Sequence, residues 1–173
     1  MDETSAFLRM IEARFGTVGD AMTRKVVTLD PSMRANEAAE KLSEAGVTGG
    51  PVLEEGRVIG ILTLGDLERV EGRGPIQRTG PFLRGDRRLA NLTVADVMTR
   101  EVVCAREHWP LTTAITLMDD TGVNRLPVID LADRPVGILA RDDVLRAIAA
   151  AVRECQETAY APVHPGRSKL EAD

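Results

Sequence analysis

At 173 residues, 43% hydrophobic and 28% charged, the chain has the length of one domain or two small ones and the composition of a globular protein rather than a disordered one. Its formal net charge of −5 argues against general binding to nucleic acid or anionic membrane, and no apolar run approaches the ~18 residues that span a bilayer. Only 3% is aromatic, so the core must rest on Val, Ile, Leu, Ala and Met.

The N-terminal stretch is acidic at once and places Phe7, Leu8, Ile11 and Phe15 on one face, which predicts an amphipathic helix and not a signal peptide. Thr17 to Asp20 reads as a capping box on a single short turn. A short β-branched strand, Val26–Thr28, is expected next, then a helix with Ala35, Ala38, Ala39 and Leu42 on its buried face, ending at Gly46. Strands Pro51–Glu54 and Arg57–Leu62 turn through Glu55-Gly56, and a helix runs from Leu64 to Val70. Residues 71–92, rich in Gly and Pro, read as a linker.

The same plan then recurs. Thr93 to Asp96 opens it, followed by a strand at Val102–Cys104 and a helix carrying Leu111, Ala114, Ile115 and Met118, with Pro110 suited to its first turn and Gly122 to its exit. Strands Pro127–Asp130 and Arg134–Leu139 turn through Ala132-Asp133, and a helix runs from Arg141 to Val152 before an irregular tail over 153–173. Residues 17–55 align without gaps on 93–131, and 56–70 on 133–147 with Ala132 inserted; 19 of the 54 aligned positions are identical. The expected architecture is therefore α/β in the α+β sense: an N-terminal helix over 1–16, then two tandem β-α-β-β-α repeats over 17–70 and 93–152 packed about a pseudo-twofold axis. The cleft between them is the first place to seek function. Cys104 and Cys155 stand far apart, without metal-ligand spacing, and suit a reducing cytoplasm; Cys104 lies in the second predicted strand, where a buried free thiol is expected.

The phrases DAMTRKVV, GVTGGPVL and VIGILTLGDL, matched by DVMTREVV, GVNRLPVID and PVGILARDDVL, make the chain resemble a CBS-domain pair, or Bateman module, over most of its length. The resemblance implies a regulatory module that binds AMP, ADP or ATP in the cleft between repeats. It implies that the Thr and Asp of the closing Gly-x-x-Thr-x-x-Asp motif hydrogen-bond the ribose, with the adenine against apolar residues nearby. On that basis the first site comprises Thr28, Val47, Thr48, Gly49, Pro51, Ile61, Thr63, Leu64 and Asp66. The second comprises Val123, Asn124, Arg125, Pro127, Ala140, Arg141 and Asp143. A carboxylate suits a cis-diol because it accepts both hydroxyls in charge-assisted bonds. The second site has Ala140 where the motif expects Thr, while Arg125 and Arg141 replace Gly49 and Leu64 and suit phosphate. The first cleft is thus expected to grip sugar better and the second to grip anions better.

Plainer readings stand beside these. Thr63 to Asp66 is also a capping box, Asp143 follows Asp142 and one of the two can serve only the helix dipole, and Arg125 can be a solvated or ion-paired residue. Trp109 reads as a hydrophobic staple, and the five arginines at 73, 78, 84, 87 and 88 as solvated loop residues. No Ser-His-Asp constellation, phosphate loop or metal signature appears, so the expectation is a non-enzyme with no catalytic residue, no metal and no required cofactor. A homodimer signalling to a separate effector protein is expected. A ligand-free interaction scaffold, an S-adenosylmethionine binder and a nucleic-acid binder are the alternatives.

Overall fold

The computed structural model describes residues 3–70 and 89–159. Helix α1 (Glu3–Phe15) leads into α2 (Val18–Ala21), a single turn held by reciprocal bonds: the Thr17 N–H and hydroxyl donate to the Asp20 carboxylate at 2.9 and 2.7 Å. Then follow α3 (Ala35–Glu44), β1 (Gly49–Glu54), β2 (Arg57–Thr63) and α4 (Leu64–Val70). After a 3-10 turn at Leu89–Asn91 the second set is α5 (Val94–Val97), β3 (Ala105–Arg106), α6 (Leu111–Thr121), β4 (Arg125–Ile129), β5 (Pro135–Ala140) and α7 (Arg141–Ala159). The linker arginines and residues 160–173, His164 among them, lie outside the described residues.

The helical spacing acts as expected. Ala35, Ala38, Ala39 and Leu42 are all fully buried, as are Leu111 and Ala114, while Ile115 is half-buried beside them. Gly122 closes α6 in the left-handed region at φ 69°, and Pro110 stands one place earlier than expected, as the N-cap. Helix α7 runs past Val152 to Ala159, because residues 153–159 contain neither Gly nor Pro to stop it.

The two expected first strands differ. Val26–Thr28 is not paired; the parallel contact begins at Leu29, whose N–H donates to the Pro51 carbonyl and whose carbonyl accepts from Leu53, both at 2.9 Å. In the second repeat the strand is Ala105–Arg106, beside Val128 and Ile129, rather than Val102–Cys104. A β-branched run favours extended backbone, but the ladder forms only where a partner strand presents its polar groups.

The main surprise is an exchange. Val18 and Met22 belong to the core built by α6, β4, β5 and α7, whereas Val94 and Met98 belong to the core built by α3, β1, β2 and α4. Each opening turn therefore closes the other repeat. The backbone repeats this crossing symmetrically: Val18 N–H donates to Trp109 O at 2.9 Å and Val94 N–H to Met33 O at 2.8 Å. Thr23 pairs with Ile138 and Thr99 with Ile61, each through two bonds of 2.9–3.0 Å. Glycine makes the crossing close. A Cβ on Gly60 would stand 2.4 Å from Met98 Sδ, and one on Gly137 would stand 2.3 Å from Met22 Sδ. Trp109 packs at the edge of the second core, as a staple would.

Candidate functional site

The closing motif of each repeat sits where a strand enters a helix. In the first, the Thr63 N–H and hydroxyl donate to Asp66 Oδ2 at 2.8 and 2.6 Å, and the Asp66 N–H returns to Thr63 Oγ1 at 3.3 Å. The capping box is therefore real. It leaves Asp66 Oδ1 to Arg69, 3.0 Å away. In the second repeat the Ala140 N–H donates to Asp143 Oδ2 at 2.8 Å, Arg146 pairs with Oδ1, and the hydroxyl is missing. Asp66 and Asp143 are the buried charged side chains of the described residues, 6% and 5% exposed, yet the arginines beside them are 76% and 71% exposed. The exposed arginine can swing into solvent, and a ligand hydroxyl taking its place at Oδ1 would keep the buried carboxylate hydrogen-bonded. Arg69 and Arg146 are site neighbours that residue-by-residue reading missed. The signal was present, since they are identical at equivalent repeat positions, three residues after each Asp.

Thr48 and Gly49 stand at the start of β1, with Gly49 opposite Thr63 in the ladder and Pro51 opposite Ile61. The Thr48 carbonyl accepts the Leu64 N–H at 3.0 Å, so that first N–H of α4 is already bonded within the protein. Thr28 flanks the same sheet through the neighbouring Leu29–Pro51 bond, its carbonyl taken by Lys41 at 2.9 Å. Val47 packs against the first core. The first set of expected residues therefore converges on one sheet end.

The second set does not stay together. Val123, Asn124, Pro127, Ala140, Arg141 and Asp143 surround the β4–β5 end, with the Asn124 carbonyl accepting the Arg141 N–H at 3.0 Å and the Arg141 side chain exposed. Arg125, although paired with Ala140 in the ladder, sends its guanidinium to the Thr48 hydroxyl of the first repeat. The arginine expected to serve the second cleft thus stands beside Thr48 of the first repeat. The long arginine side chain spans from the start of β4 to the residue before β1. Gly49, in the position equivalent to Arg125, returns no side chain.

Cys104 is free and half-buried ahead of β3, and burial pushes its thiol pKa up. Among the described residues no group of His, Cys, Asp and Glu is placed to hold a metal, and no helix is long and apolar enough to cross a membrane.

Four aspartates, three exposed and Asp130 half-buried, lie below the ordinary carboxylate value. The Thr17 hydroxyl bond lowers Asp20, the Ser32 hydroxyl bond Asp30, the Thr93 backbone bond Asp96 and the Arg134 backbone bond Asp130. Depressed native values stabilise the fold above the unfolded pKa of about 3.8 and lose that effect as pH falls through the native ones. The unfolding midpoint is expected to be insensitive to these groups above about pH 5 and to drop below about pH 4, in a series of thermal melts from pH 7 to pH 2.

Two repeats, each with a helix, an antiparallel strand pair and a closing Thr-or-Ala-x-x-Asp helix start, and the second with an added parallel strand, define a paired-repeat fold. The chain belongs to the CBS-domain family, whose profile matches residues 18–72 and 94–150. It is 30% identical to the chloroplastic CBS domain-containing protein CBSX2 of Arabidopsis thaliana over 160 residues, covering 82% of this chain and 67% of that protein. It is 29% identical over 128 residues to an inosine-5'-monophosphate dehydrogenase of Methanocaldococcus jannaschii and 30% over 135 residues to the protein MJ1225 of the same organism. There the match spans only 22% and 47% of the relative's length. The crystal structure of CBSX2 in complex with AMP superposes with a TM-score of 0.64 at 30% identity, over 78% of this chain and 97% of that one. The CBS domain pair of protein MJ0100, in complex with 5'-methylthioadenosine and S-adenosyl-L-methionine, gives 0.65 at 24% identity, over 78% and 97%; at that identity the likeness bears on the fold.

Proposed function

We propose that the protein is a regulatory module that binds an adenine nucleotide at the site built by Thr48, Thr63, Asp66 and Arg125, and passes the signal to a partner protein. The observation that carries this is the meeting of a buried carboxylate with one lightly held oxygen and a guanidinium from the other repeat at one strand end. The carboxylate suits the ribose diol and the guanidinium suits a phosphate, in charge-assisted and partly bidentate bonds. AMP in the related CBSX2 structure supports the same ligand class. Among the described residues the second site, with Ala140, Asp143 and Arg141, has neither the motif hydroxyl nor a crossing arginine, so it binds a nucleotide more weakly. Because Arg125 and Thr48 come from different repeats, ligand contact at this point bears on their relative packing, and differential affinity for two packings is the means of signalling.

The reading is regulatory rather than catalytic, with the protein working in the cytoplasm as a homodimer. Leu145 and Val152, 57% and 48% exposed on α7, are apolar surface that a second copy would cover. The cationic sulfonium of S-adenosylmethionine would meet Arg125 unfavourably, so phosphates rank above it. The test is thermal unfolding with AMP, ADP, ATP, adenosine and S-adenosylmethionine. A phosphate-bearing ligand at a hundredfold over its Kd is expected to stabilise the fold by about 2.7 kcal/mol and to raise the midpoint by several degrees. No shift with any of them would favour a ligand-free scaffold.

A further inference from the structure

We infer that Thr48 is an internal competitor for the arginine that reads phosphate, so that its hydroxyl sets how strongly the first site prefers phosphorylated over unphosphorylated ligands. The inference rests on the adenine-nucleotide reading above.

Arg125 donates to Thr48 Oγ1 across the boundary between the repeats. Thr48 itself is anchored: its carbonyl holds the Leu64 N–H at 3.0 Å, and the adjacent Gly49 is registered against Thr63. Its short side chain on a fixed backbone reaches little further than this point, whereas the long arginine side chain can turn away from it. A neutral hydroxyl offers a guanidinium one acceptor without charge. A phosphate offers several charged oxygens in the geometry of the guanidinium fork, and wins the exchange. Adenosine gives Arg125 no reason to leave. Only a phosphate-bearing ligand breaks the bond between repeats, and it binds with an affinity reduced by the cost of breaking it. Gly49, in the position equivalent to Arg125, has no side chain with which to reach Asn124 in the same way.

The test is calorimetric titration of AMP and of adenosine into the full chain, Thr48→Val and Arg125→Gln, with a thermal melt of each variant to verify folding. Valine keeps the β-branched shape and removes the hydroxyl alone. The ratio of AMP to adenosine affinity is expected to rise about three- to tenfold in Thr48→Val, the scale of one net hydrogen bond, and to collapse towards one in Arg125→Gln. A ratio unchanged or lowered in Thr48→Val would overturn the inference, since Thr48 would then be positioning the arginine rather than competing for it. A ratio preserved in Arg125→Gln would overturn it as well. Absence of binding by either ligand to the unaltered chain would refute the nucleotide reading itself, and this inference with it.

Discussion

Gly60→Val is expected to destabilise the protein by about 1–3 kcal/mol, a large share of a marginal domain's stability. A Cβ at this position would stand 2.4 Å from Met98 Sδ and 3.2 Å from the Thr99 carbonyl oxygen, and valine adds two methyls beyond it. Met98 is only 8% exposed and sits in the first core, so its retreat would disturb packed neighbours. Moving Thr99 would break its two bonds to Ile61, which tie the second repeat's opening segment to the first repeat's sheet. Gly137→Val should act alike through Met22. Gly65→Ala provides the contrast: its added Cβ meets only Thr63 Oγ1 at 3.7 Å, and alanine favours the helix, so it should be neutral or slightly stabilising. Urea unfolding of the three variants decides; a Gly60→Val protein as stable as the parent would mean that the repeats do not cross as closely as described.

Asp66→Asn is expected to weaken nucleotide binding about ten- to hundredfold while costing the fold only about 1 kcal/mol. In the native site Oδ2 accepts from both the Thr63 N–H and hydroxyl, at 2.8 and 2.6 Å, and Oδ1 faces Arg69. An amide keeps one oxygen for the capping bonds and presents an NH2 group where the ribose needs an acceptor. The charge that made those bonds strong is lost as well. Two readouts separate the effects: the ligand-free melting midpoint falls slightly, and the ligand-induced shift disappears. A variant that retained the full ligand-induced shift would reduce Asp66 to a capping residue.

Much of this was legible in the amino-acid order. Periodic alanines and leucines placed α3 and α6 on their buried faces, and Thr-x-x-Asp named the helix starts, because those signals are local. The aligned repeats also showed the missing motif hydroxyl, through Ala140 opposite Thr63. What the order could not give was the crossing. Val18 and Val94 look alike in sequence, and nothing near either says which core it enters; that depends on how two whole repeats pack. Arg125 shows the consequence. Aligned within its own repeat it faces Gly49 and belongs to the second cleft, yet in space its guanidinium reaches Thr48. The expected first strands fall outside the ladder for a related reason, since β-branched residues mark extended chain but the ladder depends on a partner far away in sequence.

The most direct measurement is the stoichiometry of AMP binding by calorimetry, on the unaltered chain, Asp66→Asn and Asp143→Asn. One tight site per chain, lost in Asp66→Asn and kept in Asp143→Asn, is the predicted result. Two equal sites, or a tight site that depends on Asp143 instead, would contradict the union of sugar and phosphate grips in the first repeat's cleft.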